Sequence, residues 1–480
     1  MDYEELILVF LIQAEDNVPE TAALSPEKDD EEAKKISTKH VAILVGVALT
    51  CITQGAATKG WTAVLPRMQD DTHSFVDTDD DVAWLVSMTS IVGIFASLAT
   101  GPLVEWAGPR RVLTIALGVS TALWLVLAFP PHKSVLFIAR AVLVASVYSI
   151  STISLPLLAE LSPKHVRGSI STLSEFAGSI GVLYGYLMAF LFPWQIATAL
   201  CALTSAVMLL PMCFVPESPY WLVRRGRTEA AKASLQRLLG PTAEVNQQLE
   251  AITSMPAATQ TSLMQQFTQL GKGRNAQPVL LVLAFFVLRE LGGRSCIMMY
   301  TVYIFRNAGV EVDAFTCTVL VGAVRVVCTC VAVSVLDRVG RRPLLVAAAV
   351  LAAVAQAVCG LFLYLQVPGA SWVPLVAVLV YMAAYGTGLG PIPWVYVGEL
   401  VPSPVRTLGA SFITACDALV VFGINLGFLK IISHIGLGVT FLSFAGLNFV
   451  IVIIVWLWVP ESRGVSLQTL QGAFSTKNKV

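Results

Sequence analysis

The stretch "GPIPWVYVGELVPSPVR", Gly390 to Arg406, closes a long apolar run, "VPLVAVLVYMAAYGTGLG" (373–390), that reads as a membrane-length helix. It sets Gly390, Pro391, Pro393, Pro402 and Pro404 around one acid, Glu399, and one base, Arg406. Part of it has a counterpart in the first half of the chain, "AELSPKHVRG" (159–168). Two further pairs keep the same order. "GPLVEWAGPRR" (101–111) matches "VSVLDRVGRRP" (333–343), and "VPESPYWLVRRG" (215–226) matches "VPESRGVSLQTLQ" (459–471). Three signals recurring at corresponding places describe a chain of two similar halves, the pattern of a transporter whose site lies between two pseudo-symmetric bundles.

Composition agrees. Of 480 residues, 56% are hydrophobic and 13% charged, with a mean hydropathy of +0.74. Soluble domains run near 45–50% apolar and about 25% charged. The apolar residues fall in about twelve runs: 41–63, 82–103, 112–130, 134–158, 169–192, 195–215, 276–304, 314–336, 343–366, 373–396, 408–430 and 438–459. Lipid offers no partner to a backbone amide, so such runs must cross as helices. The expected fold class is therefore all-α integral membrane, with twelve transmembrane helices in two six-helix bundles. Lys+Arg and Asp+Glu number 31 each, so no net positive charge argues for nucleic acid. The nine cysteines lie in or beside apolar runs and behave as small hydrophobes. No metal spacing, nucleophile–base set or nucleotide loop is present, so neither a metal, a cofactor nor an enzymatic activity is expected.

Charge sets direction. Arg110 and Arg111, Lys164 and Arg167, the 216–275 stretch, and Arg338, Arg341 and Arg342 all fall in linkers on one side. The first opposite linker, "RMQDDTHSFVDTDDD", is acidic. The positive-inside rule puts both termini and 216–275 in the cytoplasm. The expected divisions are an N-terminal tail (1–40), a first bundle (41–215), a linker with short amphipathic helices (216–275), a second bundle (276–460) and a C-terminal tail (461–480). Lys59 is expected to snorkel at the outer end of the first span, and the five histidines to be interfacial or solvated.

These motifs resemble the sugar porter branch of the major facilitator superfamily, over about residues 40–470, and within it arthropod trehalose or hexose transporters. The resemblance implies a carrier working by alternating access at the plasma membrane, its partners a small sugar and the lipid bilayer, and its functional unit a monomer. It implies that Gly390, Pro391 and Pro393 break the tenth helix to form a hinge. It also implies a set of charges at the cytoplasmic mouth, paired between spans to hold the outward-open state: Glu160, Arg167, Glu217, Glu399, Arg406 and Glu461, with Glu105, Arg110, Asp337, Arg341 and Arg342. Arg140 matches a fourth-span arginine and is grouped with them. A purely topological role for these charges stays open.

The sugar-contacting positions depart from the family. Where relatives carry Gln-Gln-x-x-Gly-x-Asn in the seventh span, this chain has Arg289, Glu290 and, at the asparagine, Ser295. Glu175 replaces a fifth-span glutamine and Asp417 an eleventh-span asparagine, whereas Trp394 keeps its place. Glu175, Arg289, Glu290, Ser295, Trp394 and Asp417, with Tyr300 nearby, are the candidate substrate contacts. An amide can donate to and accept from a sugar hydroxyl without net charge, and replacing several amides by ions changes that balance. An ion at mid-membrane needs a partner, and Glu175 with Arg289 is the expected pair. Three readings remain for this cluster: a structural ion pair, hydroxyl binding by carboxylates, and a changed role through proton coupling or a charged substrate. A sugar sensor that scarcely transports is the rival class.

Overall fold

The protein is described from a computed structural model covering residues 38–72, 74–162, 167–239, 244–254, 273–366, 369–401 and 406–458. Most of both expected tails and the end of the linker lie outside these residues. Among the described residues every regular element is helical. Eleven helical segments are long and apolar enough to cross a membrane, and they fall on eleven of the twelve apolar runs.

The first crossing, His40–Asp70, is assembled from α1 (Thr38–Leu49), α2 (Cys51–Thr58), a 3-10 turn (Gly60–Val64) and α3 (Leu65–Asp70). Then come α4 (Asp79–Ala107), α5 (Pro109–Ala128), α6 (Lys133–Leu161), α7 (Arg167–Leu191) and α8 (Trp194–Met212). Helices run past the apolar runs where a cap lies outside them. At the start of α4 the Thr78 hydroxyl accepts the Asp81 amide at 3.2 Å, and the Asp81 carboxylate accepts the Thr78 amide at 3.2 Å. This reciprocal pair satisfies two amides that no helical carbonyl can reach.

The described residues of the 216–275 stretch hold three short helices, α9 (Pro219–Arg224), α10 (Thr228–Leu239) and α11 (Glu244–Thr253), the last two at the amphipathic stretches and the first not anticipated from sequence. They bury Trp221, Leu235, Val245 and Ile252 among themselves. Leu238 of α10 joins Leu44, Leu161 and Met212, which fastens the segment under the first half.

The second half holds α12 (Gly273–Leu291), α13 (Arg294–Met299), α14 (Thr301–Asn307), α15 (Ala314–Val339), α16 (Arg341–Leu365) and α17 (Val373–Ala384). A π turn (Tyr385–Leu389) then leads into α18 (Pro391–Leu400), followed by α19 (Arg406–Ile435) and α20 (Leu437–Trp458). The broken series α12–α14 occupies the seventh apolar run. Interrupted after Leu291 and again at Tyr300, it is not among the eleven.

The internal repeat is visible in the backbone. Gly108, between α4 and α5, has φ 94° and ψ 147°; Gly340, between α15 and α16, has φ 98° and ψ 157°. Side chains are disfavoured there, and at Gly108 a Cβ would also stand 2.8 Å from a Glu217 carboxylate oxygen. Within the halves α5 packs on α8, α2 on α7, and α16 on α20. The halves meet where α4 lies along α19 and α7 along α15.

The tenth crossing shows how the breakers are accommodated. The α-helix stops at Ala384 and resumes at Pro391, yet Val373–Val397 remains one span. Two prolines delete two amide donors and crowd the preceding turn. The chain widens by one residue, and the Gly390 amide donates to the Tyr385 carbonyl at 2.8 Å. A π turn absorbs the breakers while keeping the backbone bonded.

Candidate functional site

The seventh crossing is broken in mid-course by Gly292 and Gly293. Gly293 sits at φ 93°, and a Cβ on it would come 2.4 Å from the Phe444 ring. The break frees the Gly292 carbonyl, and two buried amides from other helices take it up. Gln356 Nε2 donates at 2.8 Å and Asn448 Nδ2 at 3.2 Å, while Asn448 also donates to Gln356 Oε1 at 2.7 Å. A third buried amide, Asn425 of α19, serves the next turn. Ser295 Oγ donates to its Oδ1 at 2.9 Å and Tyr300 Oη to its carbonyl at 2.7 Å. Ser295 and Tyr300, named as substrate contacts, thus commit their hydroxyl protons to Asn425. Gln356, Asn425 and Asn448 were missed by sequence reasoning; their signal was an amide inside an otherwise apolar run.

Around this break stand the charges. Glu290 is fully buried and shared: its Oε1 lies 3.1 Å from Arg289 Nη2 and 2.5 Å from Arg294 Nε. Arg289 also reaches Asp417 Oδ1 at 3.6 Å. Its guanidinium lies 4.5 Å over the Phe286 ring, which meets Trp394 edge-to-face at 4.8 Å. Arg294 Nη1 donates to Tyr385 Oη at 3.2 Å. Among the described residues, no donor reaches the buried Glu290 Oε2.

The expected Glu175–Arg289 pair does not form. Arg289 takes the neighbouring Glu290 and Asp417, while Glu175 stands exposed on α7. A carboxylate one residue away on the same helix, plus one on α19, costs less ordering than a partner in the opposite half. Lys59 also departs from expectation. It sits at the break of the first crossing, eleven residues before the end of that span at Asp70, in electrostatic range of Arg325, Arg294, Glu175 and Glu290. His40 is buried rather than interfacial, its Nε2 2.8 Å from the Leu161 carbonyl.

The charges grouped as gate residues separate into three sets. Glu105, Arg110, Glu160 and Glu217 come together, but within the first half rather than across the mouth. Glu217 accepts the Arg110 amide at 2.9 Å, Glu160 accepts the Ser218 hydroxyl, and the Glu105 carbonyl accepts Trp221 Nε1 at 3.0 Å. The Arg110 side chain donates to the Met212 carbonyl at 3.1 Å, capping the end of α8. In the second half Arg342 Nη2 donates to the Trp456 carbonyl at 2.7 Å, and Arg341 likewise has a partner. Arg140 belongs to neither group. It is buried, donates to the Ala57 carbonyl at 2.9 Å and lies 4.4 Å over the Trp61 ring, so it braces the break in the first crossing. The side chains of Arg167, Asp337, Glu399 and Arg406, and the whole of Glu461, lie outside the described residues.

Among the described residues, several contacts join the halves at the end carrying the acidic loop. Tyr303 Oη donates to Gln69 Oε1 at 2.8 Å, Arg306 pairs with Asp70 at 2.8 Å, and Lys430 pairs with Asp80 at 2.8 Å. Deeper in, Tyr186 Oη donates to the Met298 carbonyl at 2.5 Å, and Ser179 meets Thr329 at 3.3 Å. Arg306 and Asp70 are both well exposed, so their pair contributes roughly 0–1 kcal/mol. Asp70→Asn is therefore expected to leave thermal stability unchanged while raising thiol labelling of a cysteine placed at Ala63. Unchanged labelling would deny the pair a gating role.

The family described as "Sugar (and other) transporter" matches residues 30–474. The chain belongs to that family. It is similar to the facilitated trehalose transporter Tret1 of Culex quinquefasciatus, 29% identical over 92% of this chain and 87% of that one. The Apis mellifera ligustica protein of the same name is 28% identical, over 91% and 88%. Among solved structures, the inward open conformation of the E. coli xylose transporter XylE matches 90% of this transporter and 99% of that chain, at 22% identity and TM-score 0.76. The proton:xylose symporter XylE bound to 6-bromo-6-deoxy-D-glucose matches 92% and 100%, at 21% identity and TM-score 0.69. The major facilitator fold of this multi-pass membrane protein is thereby shown.

Proposed function

We propose that this transporter carries a polyhydroxylated solute, trehalose or a hexose, down its gradient across the cell membrane by alternating access. The observation that carries the reading is the meeting of two interrupted crossings, one from each half. The 3-10 turn Gly60–Val64 packs against α13, which follows the Gly292–Gly293 break. Interrupted helices at membrane depth mark substrate sites, because freed backbone groups and polar side chains there face a cavity or protein rather than lipid. The carboxylates of Glu290 and Asp417 would supply acceptors for sugar hydroxyls. Trp394, 47% exposed, supplies an aromatic face for a sugar ring.

The contacts between the described residues at the acidic-loop end support a state closed on that side. With 216–275 and both termini in the cytoplasm, that state would open inward. Moving outward would break Tyr303–Gln69 and Arg306–Asp70 and bring together the charges of the opposite mouth, a near-balanced exchange suited to a gate. One molecule contains both halves, so a monomer suffices as the functional unit.

Uptake of labelled trehalose and glucose into proteoliposomes holding the purified carrier tests the reading. Saturable uptake of either, flat between about pH 5 and 8 and without accumulation above the outside concentration, is the expected result. Accumulation driven by an inward proton gradient would replace facilitated diffusion by proton coupling. Saturable binding without flux would make the protein a sensor.

A further inference from the structure

Phe315 stands in the first turn of α15, at the acidic-loop end of the second half, and is 7% exposed. The Asp313 carboxylate caps that turn by accepting the Thr316 amide at 3.0 Å, which fixes where the ring stands. Two guanidinium groups approach the ring. That of Arg67, from the first half, lies 4.4 Å from the ring centroid, and that of Arg306, from the second half, lies 5.6 Å from it. Both fall within the roughly 6 Å over which an aromatic face attracts a cation. Arg67 is not free to follow the ring. Its Nη1 donates to the Phe192 carbonyl at 2.6 Å and its Nη2 to the Phe190 carbonyl at 3.0 Å, at the end of α7. The guanidinium edge is thereby spent on its own half, and the flat face is what remains for Phe315. Arg306 reaches across as well. Its two terminal nitrogens meet the two Asp70 oxygens at 3.3 and 2.8 Å. Asp70 and Arg67 lie on the same short helix, α3, so the second half grips α3 at two points.

The two grips differ in strength. The Arg306 side chain is 38% exposed and that of Asp70 60%, and water competes for such a pair. The Phe315 ring is buried, and a cation over a buried aromatic face is attracted more strongly than at an exposed site. Separating the halves at this end would also return the ring to water, which opposes opening. Arg67 stays with α7 and Phe315 travels with α15, so their stack survives only while that side is closed.

We propose that the stack of Phe315 on Arg67 is the latch that holds the carrier closed on the acidic-loop side, and that it sets the fraction of molecules open there. The proposal rests on the transport reading above and adds a gating residue to it. A carrier whose outside-facing state is a minor population binds outside solute with an apparent affinity reduced by that fraction. Loosening the latch therefore tightens apparent binding from that side, whereas damage to a binding residue would weaken it.

The test uses the purified full-length carrier in proteoliposomes, with spin labels introduced as non-canonical residues at His132 and Val312, exposed positions at the acidic-loop end of the two halves. Double electron–electron resonance reads the distance between them with no solute present. Phe315→Leu keeps an apolar side chain but no ring, and should raise the longer-distance population about fivefold. Arg67→Met should do the same, and it guards against one variant that fails to fold. Their combination should add nothing to either alone, since both remove one interaction. Phe315→Tyr keeps the aromatic face and should match the parent. In parallel, the half-saturation concentration for trehalose or glucose applied outside should fall about fivefold in Phe315→Leu. Unchanged distances in both single variants would overturn the latch, whatever happens to thermal stability, and so would additive shifts in the double variant. The expected shift in a carrier that moves neither sugar would uphold the latch and remove the sugar-transport reading. Unchanged distances with intact sugar uptake would do the reverse.

Discussion

Glu290→Gln removes the folded carrier almost completely. The side chain is fully buried, and both Arg289 and Arg294 rest on the same carboxylate oxygen. Glutamine keeps the shape and loses the charge. Two guanidinium groups then remain inside the protein with Asp417 alone to balance them, and breaking a buried pair by removing one partner costs about 3–5 kcal/mol. That is a large fraction of the stability of most folded domains. Monodisperse protein recovered in detergent should fall about tenfold or more, and the melting temperature of what remains should drop by several degrees. Glu290→Gln combined with Arg294→Gln removes charge of both signs and should recover part of the loss. An unchanged melting temperature in the single variant would mean that water, rather than Glu290, compensates the two guanidinium groups.

Gly181→Val has an effect of similar size from a different cause. A Cβ at Gly181 would lie 2.1 Å from the Ile52 carbonyl oxygen, and one at the facing Gly55 would lie 1.9 Å from the Gly178 oxygen. These atoms belong to backbone, so no side-chain rotation relieves the clash; α2 and α7 must separate along their length. Overpacking usually costs about 1–3 kcal/mol. At this position it would also displace the first crossing at its break, where the 3-10 turn meets α13. Loss of the monodisperse peak on size-exclusion chromatography is the expected readout. Gly118→Ala, on α5 with nothing within 4 Å of the added carbon, is the control and should behave as the parent. Equal behaviour of Gly181→Val and Gly118→Ala would show that α2 and α7 do not pack backbone to backbone.

The sequence by itself determined the crossings, because lipid forces every long apolar run to close its hydrogen bonds within a helix. Eleven of the twelve runs are long apolar helical segments in the structure, and the twelfth, α12–α14, is broken where its charges and glycines lie. It also determined the internal repeat, since Gly108 and Gly340 share a backbone conformation that side chains disfavour. It named Arg289, Glu290 and Asp417 as members of one cluster, because ions inside apolar runs must find partners.

Only the tertiary structure decided which partner each takes. Arg289 reaches Glu290 and Asp417 rather than Glu175. That choice depends on side-chain directions around a left-handed glycine at 293, which spacing along the chain does not specify. Pro391 and Pro393 read as a break in isolation, yet the surrounding packing lets a π turn carry the helix through. Gln356, Asn425 and Asn448 gained their role only when three distant helices delivered them to the open seventh crossing. Local periodicity fixes what a segment must be; which freed carbonyl or unpaired ion it meets is a property of the assembled halves.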